Sequence, residues 1–145
     1  MTMSLVGGAG YYYSFIIVGK RDNPLFEIEF AGPKKEVSQQ PEAQFVIHAA
    51  LDLVEEHVWK NPQMYLKVVD KYNDKYFISA FVTAGHERFM VLHNTKNEDG
   101  IKYFFQEVHE LYIKVLLNPF YKADTPITSQ VFQKRVKQLG RKYLT

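Results

Sequence analysis

At 145 residues and 17.0 kDa, with 46% hydrophobic residues, the chain is sized for one domain and able to bury a core, which excludes compositional disorder. Eighteen basic against sixteen acidic residues leave a formal charge of +2, too weak a balance to argue for nucleic acid. The lack of cysteine removes disulfides, thiolate catalysis and zinc–thiolate sites, and fits a reducing compartment.

Residues 1–10 hold three glycines and little else, and read as a flexible leader ahead of one domain over 11–145. GGAG precedes a strand, whereas a dinucleotide-binding loop follows one and opens a helix, so no phosphate site is expected. The opening also lacks the charged and long apolar regions of a secretory signal. No apolar run approaches the roughly 18–20 residues that span a bilayer. The reading is a cytosolic chain.

Residues 11–19, YYYSFIIVG, are β-branched and aromatic almost throughout, and predict a strand buried on both faces. A turn over 20–24 leads to residues 25–30, LFEIEF, whose alternation predicts a half-buried hairpin partner. Glu27 and Glu29 fall together on its wet face, which is the pattern of a solvated edge rather than a catalytic pair. Residues 32–41 form a polar, proline-bounded connection.

Residues 44–59, QFVIHAALDLVEEHVW, carry an apolar stripe of Ile47, Ala50, Leu51, Val54 and Val58 at helical spacing. An ordinary surface helix is polar opposite its stripe. Here Phe45, Val46, Ala49, Leu53 and Trp59 extend apolar surface to a second side, where Asp52 stands one turn from His48 and one turn from Glu56. Either another protein or another part of this chain covers that side. The predicted partner surface is Phe45, His48, Ala49, Asp52, Leu53, Glu56 and Trp59.

Residues 64–72, 76–84 and Arg88–His93 predict three strands joined by short turns, a meander. Residues 97–117 predict a second helix with Ile101, Phe104, Phe105, Val108, Leu111, Tyr112, Val115 and Leu116 towards the core, and Asn97 as its cap. Tyr103, Ile113 and Leu117 lie off that stripe. After an irregular link over 120–127, Thr128 or Ser129 caps a third helix with Phe132, Val136, Leu139 and Tyr143 inward. Its other face is basic, with Lys134, Arg135, Lys137, Arg141 and Lys142, and reads as a solvated face or as a contact for anionic lipid or an acidic partner.

The order is β-β-α-β-β-β-α-α, an α+β fold. It predicts one five-stranded antiparallel sheet with one helix on one face and two helices on the other. The strand that follows the first helix must lie apart from the first hairpin.

Chemistry is not signalled. None of the five histidines is paired at metal spacing, no Gly-x-Ser-x-Gly is present, and no cofactor is implied. His48 and Asp52, four apart on a helix, read as a structural pair. An enzyme would require His48, Asp52, Ser79 and His86 to converge.

From about residue 14 to residue 144, nearly the whole chain, the residues resemble the sedlin family, small subunits of the transport protein particle (TRAPP), a vesicle-tethering complex. The matching tracts include Val18-Gly19, Asp22-Asn23-Pro24, Gln44-Phe45, HAALDLV from His48, SAFVTAGH from Ser79, Glu98-Asp99-Gly100-Ile101-Lys102 and Asn118-Pro119-Phe120-Tyr121. HAALDLV and SAFVTAGH look closer to sedlin proper than to the sedlin-like paralogue of the same particle. The leader and the 32–41 connection depart from the family. The resemblance implies a longin-like (SNARE-like) fold and a non-catalytic adaptor in endoplasmic reticulum-to-Golgi traffic, with other TRAPP subunits as partners. The particle activates a Rab GTPase, an activity the family attributes mainly to other subunits. Membrane association would be peripheral and through the complex, at endoplasmic reticulum and Golgi membranes and perinuclear. The alternative is a longin-type module that grips a SNARE or small GTPase directly.

Overall fold

A computed structural model describes residues 11–32, 43–60, 62–72 and 75–144. The predicted leader, and all of the 32–41 connection except Gly32, lie outside these residues. The elements are β1 (Tyr12–Val18), β2 (Pro24–Ala31), α1 (Ala43–Lys60), β3 (Tyr65–Tyr72), β4 (Tyr76–Val82), β5 (Arg88–His93), α2 (Glu98–Leu116) and α3 (Gln130–Tyr143), in the order the sequence predicts.

The strands form one antiparallel sheet in the order β2-β1-β5-β4-β3. β2 and β3 occupy opposite edges, so α1 is carried across the sheet between them. Its 18 residues span about 27 Å at ~1.5 Å each. Four inter-strand gaps of about 4.8 Å come to roughly 19 Å, so one helix reaches across. β1 and β5 are buried along their whole length and β4 nearly so, as expected of strands covered on both faces.

Alternation sorts their side chains between two cores. Tyr12, Ile16, Val18, Ile78, Ala80, Val82, Met90 and Leu92 face α1, which contributes Val46, Ile47, Ala50, Leu51 and Val54. Tyr13, Phe15, Ile17, Phe81, Phe89 and Val91 face α2 and α3. The second core is largely aromatic. Phe15 meets Phe104 edge-on at 5.1 Å, Phe26 meets Phe132 at 5.0 Å and Phe89 meets Tyr112 at 5.7 Å. Such T-shaped pairs suit the ring quadrupole, and they account for much of the chain's aromatic content.

α2 and α3 are joined end to end. The Asn97 side chain accepts from Gly100 N at 3.2 Å as the N-cap of α2 and donates from Nδ2 to Tyr143 O at 2.8 Å, near the end of α3. Ser129, rather than Thr128, caps α3 by accepting from Phe132 N at 3.2 Å.

Three expectations are corrected. Val46 is buried in the α1 core, because a helix lying flat on a broad sheet buries a wider arc than the five-residue stripe. Leu116 is 39% exposed, because the last turn of α2 carries its apolar series beyond the core. The fourth strand stops at Val82 rather than Ala84. Thr83 opens a turn closed by Thr83 N donating to Glu87 O at 3.0 Å and His86 N donating to Thr83 O at 2.9 Å.

Candidate interaction site

The outer side of α1 carries the seven residues proposed from sequence, six of them exposed and Leu53 half-buried. Phe45 is 70% exposed and Trp59 87%. His48, Ala49, Asp52 and Glu56 are exposed, and Leu53 is half-buried. Two large rings therefore flank two carboxylates on one helix surface.

Besides its apolar face, α1 is tied to the sheet by a charged cluster that the sequence does not announce. Arg88, at the start of β5, has a side chain only 3% exposed. A guanidinium taken out of water needs partners. Its Nη1 donates to Glu55 Oε1 of α1 at 3.2 Å, and its Nη2 pairs with Asp22 Oδ1 at 2.7 Å and donates to Gly19 O. His86 Nε2 donates to the same Glu55 oxygen at 3.0 Å. Glu55 thus ties α1 to both turns at one end of the sheet. With the apolar stripe and Glu55 both turned to the sheet, Asp52, Glu56 and Trp59 lie outward. Asp22 and His86 have φ of 64° and 70°, so both turns use left-handed backbone to present these groups.

The residues an enzyme would need do not converge. His48 and Asp52 are on α1. Ser79 alternates with Ile78 and Ala80, so it faces the opposite core. There Ser79 Oγ lies 2.8 Å from His93 Nε2, and His93 Nδ1 donates to Thr95 O at 2.7 Å. The carbonyl fixes the Nδ1–H tautomer, so Nε2 accepts from the serine. Burial pushes the imidazole down to about 4 against the opposing Thr95 bond, and it is neutral at pH 7. The pair has the hydrogen-bond pattern of an activated serine, but Ser79 is 0% and His93 1% exposed, so a substrate has no approach to it. His86 is engaged by Glu55 instead.

The five basic residues of α3 are all exposed. Helical spacing divides them: Lys134, Lys137 and Arg141 follow an outward line, whereas Arg135 and Lys142 share a flank with Val131. Arg135 and Val131 help line an open groove of about 420 Å³ between the end of α2, the link that follows it and the start of α3. The link had read only as an irregular connection, since Phe120 belongs to no periodic pattern. Among the described residues no helix is long and apolar enough to cross a membrane.

Comparison with known proteins agrees with this architecture. The family model described as Sedlin matches residues 17–142. The chain is 48% identical to the probable trafficking protein particle complex subunit 2 of Drosophila melanogaster, over 91% of this chain and 96% of that protein. It is 41% identical to the transport protein particle 20 kDa subunit of Schizosaccharomyces pombe, over 88% of this chain and 96% of that protein. Against the trafficking protein particle complex subunit 2-like protein of Dictyostelium discoideum the identity falls to 28%, over 85% of this chain and 91% of that protein.

Proposed function

The chain belongs to the sedlin family, and from that membership we propose that it is a non-catalytic assembly subunit of a trafficking particle, docking through the outer side of α1. The particle serves vesicle tethering between endoplasmic reticulum and Golgi, and the chain reaches those membranes through its neighbours. The observation that carries the docking surface is the exposure of Phe45 and Trp59 beside Asp52 and Glu56 on a helix whose other side is packed on the sheet and tied to it through Glu55. Exposed aromatic rings beside charge are the composition of an interface core with a polar rim. The names of the relatives supply the kind of neighbour, other subunits of the particle.

The test is replacement of Asp52 by a bulky residue, Asp52→Phe, in the full chain. Asp52 is exposed, so the variant folds with ordinary stability. Affinity purification from cytosol followed by mass spectrometry is expected to recover fewer particle subunits with the variant than with the parent chain. Equal recovery removes Asp52 from the interface. Recovery of a SNARE or small GTPase by the isolated chain, without other subunits, favours a regulatory module instead.

A further inference from the structure

A groove lies at the far end of α2, on the opposite face of the sheet from α1. Leu111 and Val115 of α2 with Phe132 of α3 give it an apolar strip, and Asn118, Tyr121, Thr128 and Ser129 add polar atoms around it. Two of its lining side chains are apolar and wet, Phe120 at 95% exposed and Val131 at 69%, and Leu117, three residues before Phe120, is 76% exposed. A cation stands on each wall, Lys114 on α2 and Arg135 on α3, and no acidic side chain lines it.

Charge is segregated along the chain in the same sense. Residues 111–145 hold seven of the eighteen Lys and Arg and one of the sixteen Asp and Glu. That single acid, Asp124, is occupied elsewhere: its Oδ1 accepts from Lys20 N at 3.0 Å, and its carbonyl accepts from Asn23 Nδ2 at 3.0 Å. The groove lining is therefore cationic, with Glu110, one turn before Lys114, outside it, while the outer side of α1 carries Asp52 and Glu56.

We propose that this groove is a second docking site, which takes an acidic amphipathic helix of another protein. The segment lays an apolar line on Leu111, Val115 and Phe132 and sets carboxylates against Lys114 and Arg135. Helix-in-groove recognition uses such an apolar line at i, i+3, i+4 and i+7. A small ligand would fill the floor but leave Phe120, Leu117 and Val131 in water. A bilayer would favour cations ringed about one apolar tip, whereas these stand on facing walls. This docking site rests on the reading of the chain as an assembly subunit.

The test places a photo-crosslinking benzoylphenylalanine at Val131 in the full chain in cells and sequences the adduct. The expected adduct is a segment of another protein with an apolar helical stripe flanked by Asp and Glu. A synthetic peptide of that segment should bind the purified chain with steep salt dependence. Lys114→Glu with Arg135→Glu, and separately Phe120→Ser, should each weaken it at least about tenfold. Phe120 is 95% exposed, so the latter variant retains its fold. Adducts to lipid, to a second copy of this chain or to a segment without acids overturn the proposal, as does the absence of any adduct. So does binding that the charge-reversal pair leaves unchanged. Asp52→Phe should leave the crosslink intact, so loss of the α1 contact and loss of the groove contact are distinguishable.

Discussion

Truncating the two rings on α1 should abolish docking while leaving the fold untouched. Aromatic side chains present about 150–250 Å² each. With Phe45 70% and Trp59 87% exposed, about 350 Å² of ring surface still faces water in the isolated chain. At about 25 cal/mol per Å², burying it is worth up to roughly 9 kcal/mol. Lost rigid-body freedom and side-chain ordering consume much of that. A single buried aromatic anchor typically accounts for about 2–4 kcal/mol, so Trp59→Ala should weaken docking by about 30- to 1000-fold. The same change should move unfolding stability by no more than about 0.5 kcal/mol, because the ring has little of its own chain to lose. Trp59 is the chain's single tryptophan, which makes it its own probe. The chain labelled with 5-fluorotryptophan should give one ¹⁹F resonance with a full H2O/D2O solvent shift, and that shift should vanish on adding the partner subunits. Urea titration of parent and variant supplies the stability. Undiminished docking of Trp59→Ala, or a solvent shift that survives assembly, refutes the interface. A stability loss beyond about 1 kcal/mol shows instead that the ring packs on its own chain.

Other outcomes follow from the cores. Because the folded-state value of His93 is near 4 against an ordinary 6.5, the unfolded chain binds the proton more readily, and stability should fall as pH drops from about 6.5 towards 4. His93→Asn should flatten that dependence by on the order of 3 kcal/mol, read as the difference between parent and variant urea curves at pH 7 and pH 4.5. Burial also lowers His109, which leaves a residual slope of the same sign in the variant. Asn97→Ala removes both the α2 cap and the bond to Tyr143 O, and should cost about 2 kcal/mol with faster amide exchange at the end of α3. Arg88→Leu leaves the Gly19 carbonyl without its guanidinium donor and frees Glu55 from β5. It should cost about 1–3 kcal/mol and weaken docking through α1, whereas Asp22→Asn should cost far less because Asp22 is 64% exposed on its side chain.

Much of this protein was legible before any coordinates, and for a physical reason. Strand and helix periods are local, so YYYSFIIV, LFEIEF and the helical stripe of residues 44–59 announce their elements and their inward faces. Proline, asparagine and glycine mark the ends of those elements, and the order of elements restricts the sheet to few topologies. The surplus apolar side of α1 was visible in the same way, as residues the helical stripe does not use.

Tertiary structure decided whatever depends on residues distant in sequence. Helical spacing puts Val46 only at the margin of the stripe, four residues before Ala50, with Phe45 nearly opposite; the breadth of the sheet beneath α1 decides that the margin is buried. Arg88 read as an ordinary strand residue, yet it gathers Gly19 and Asp22 of the β1–β2 turn and Glu55 of α1. Gly140 lies inside α3, where the ring of Phe30 from β2 comes 2.2 Å from where a Cβ would stand. Pairing of this kind has no period, because it is set by which surfaces meet when the chain closes. The groove between α2 and α3 exists only once that closure has happened, and so does its charge.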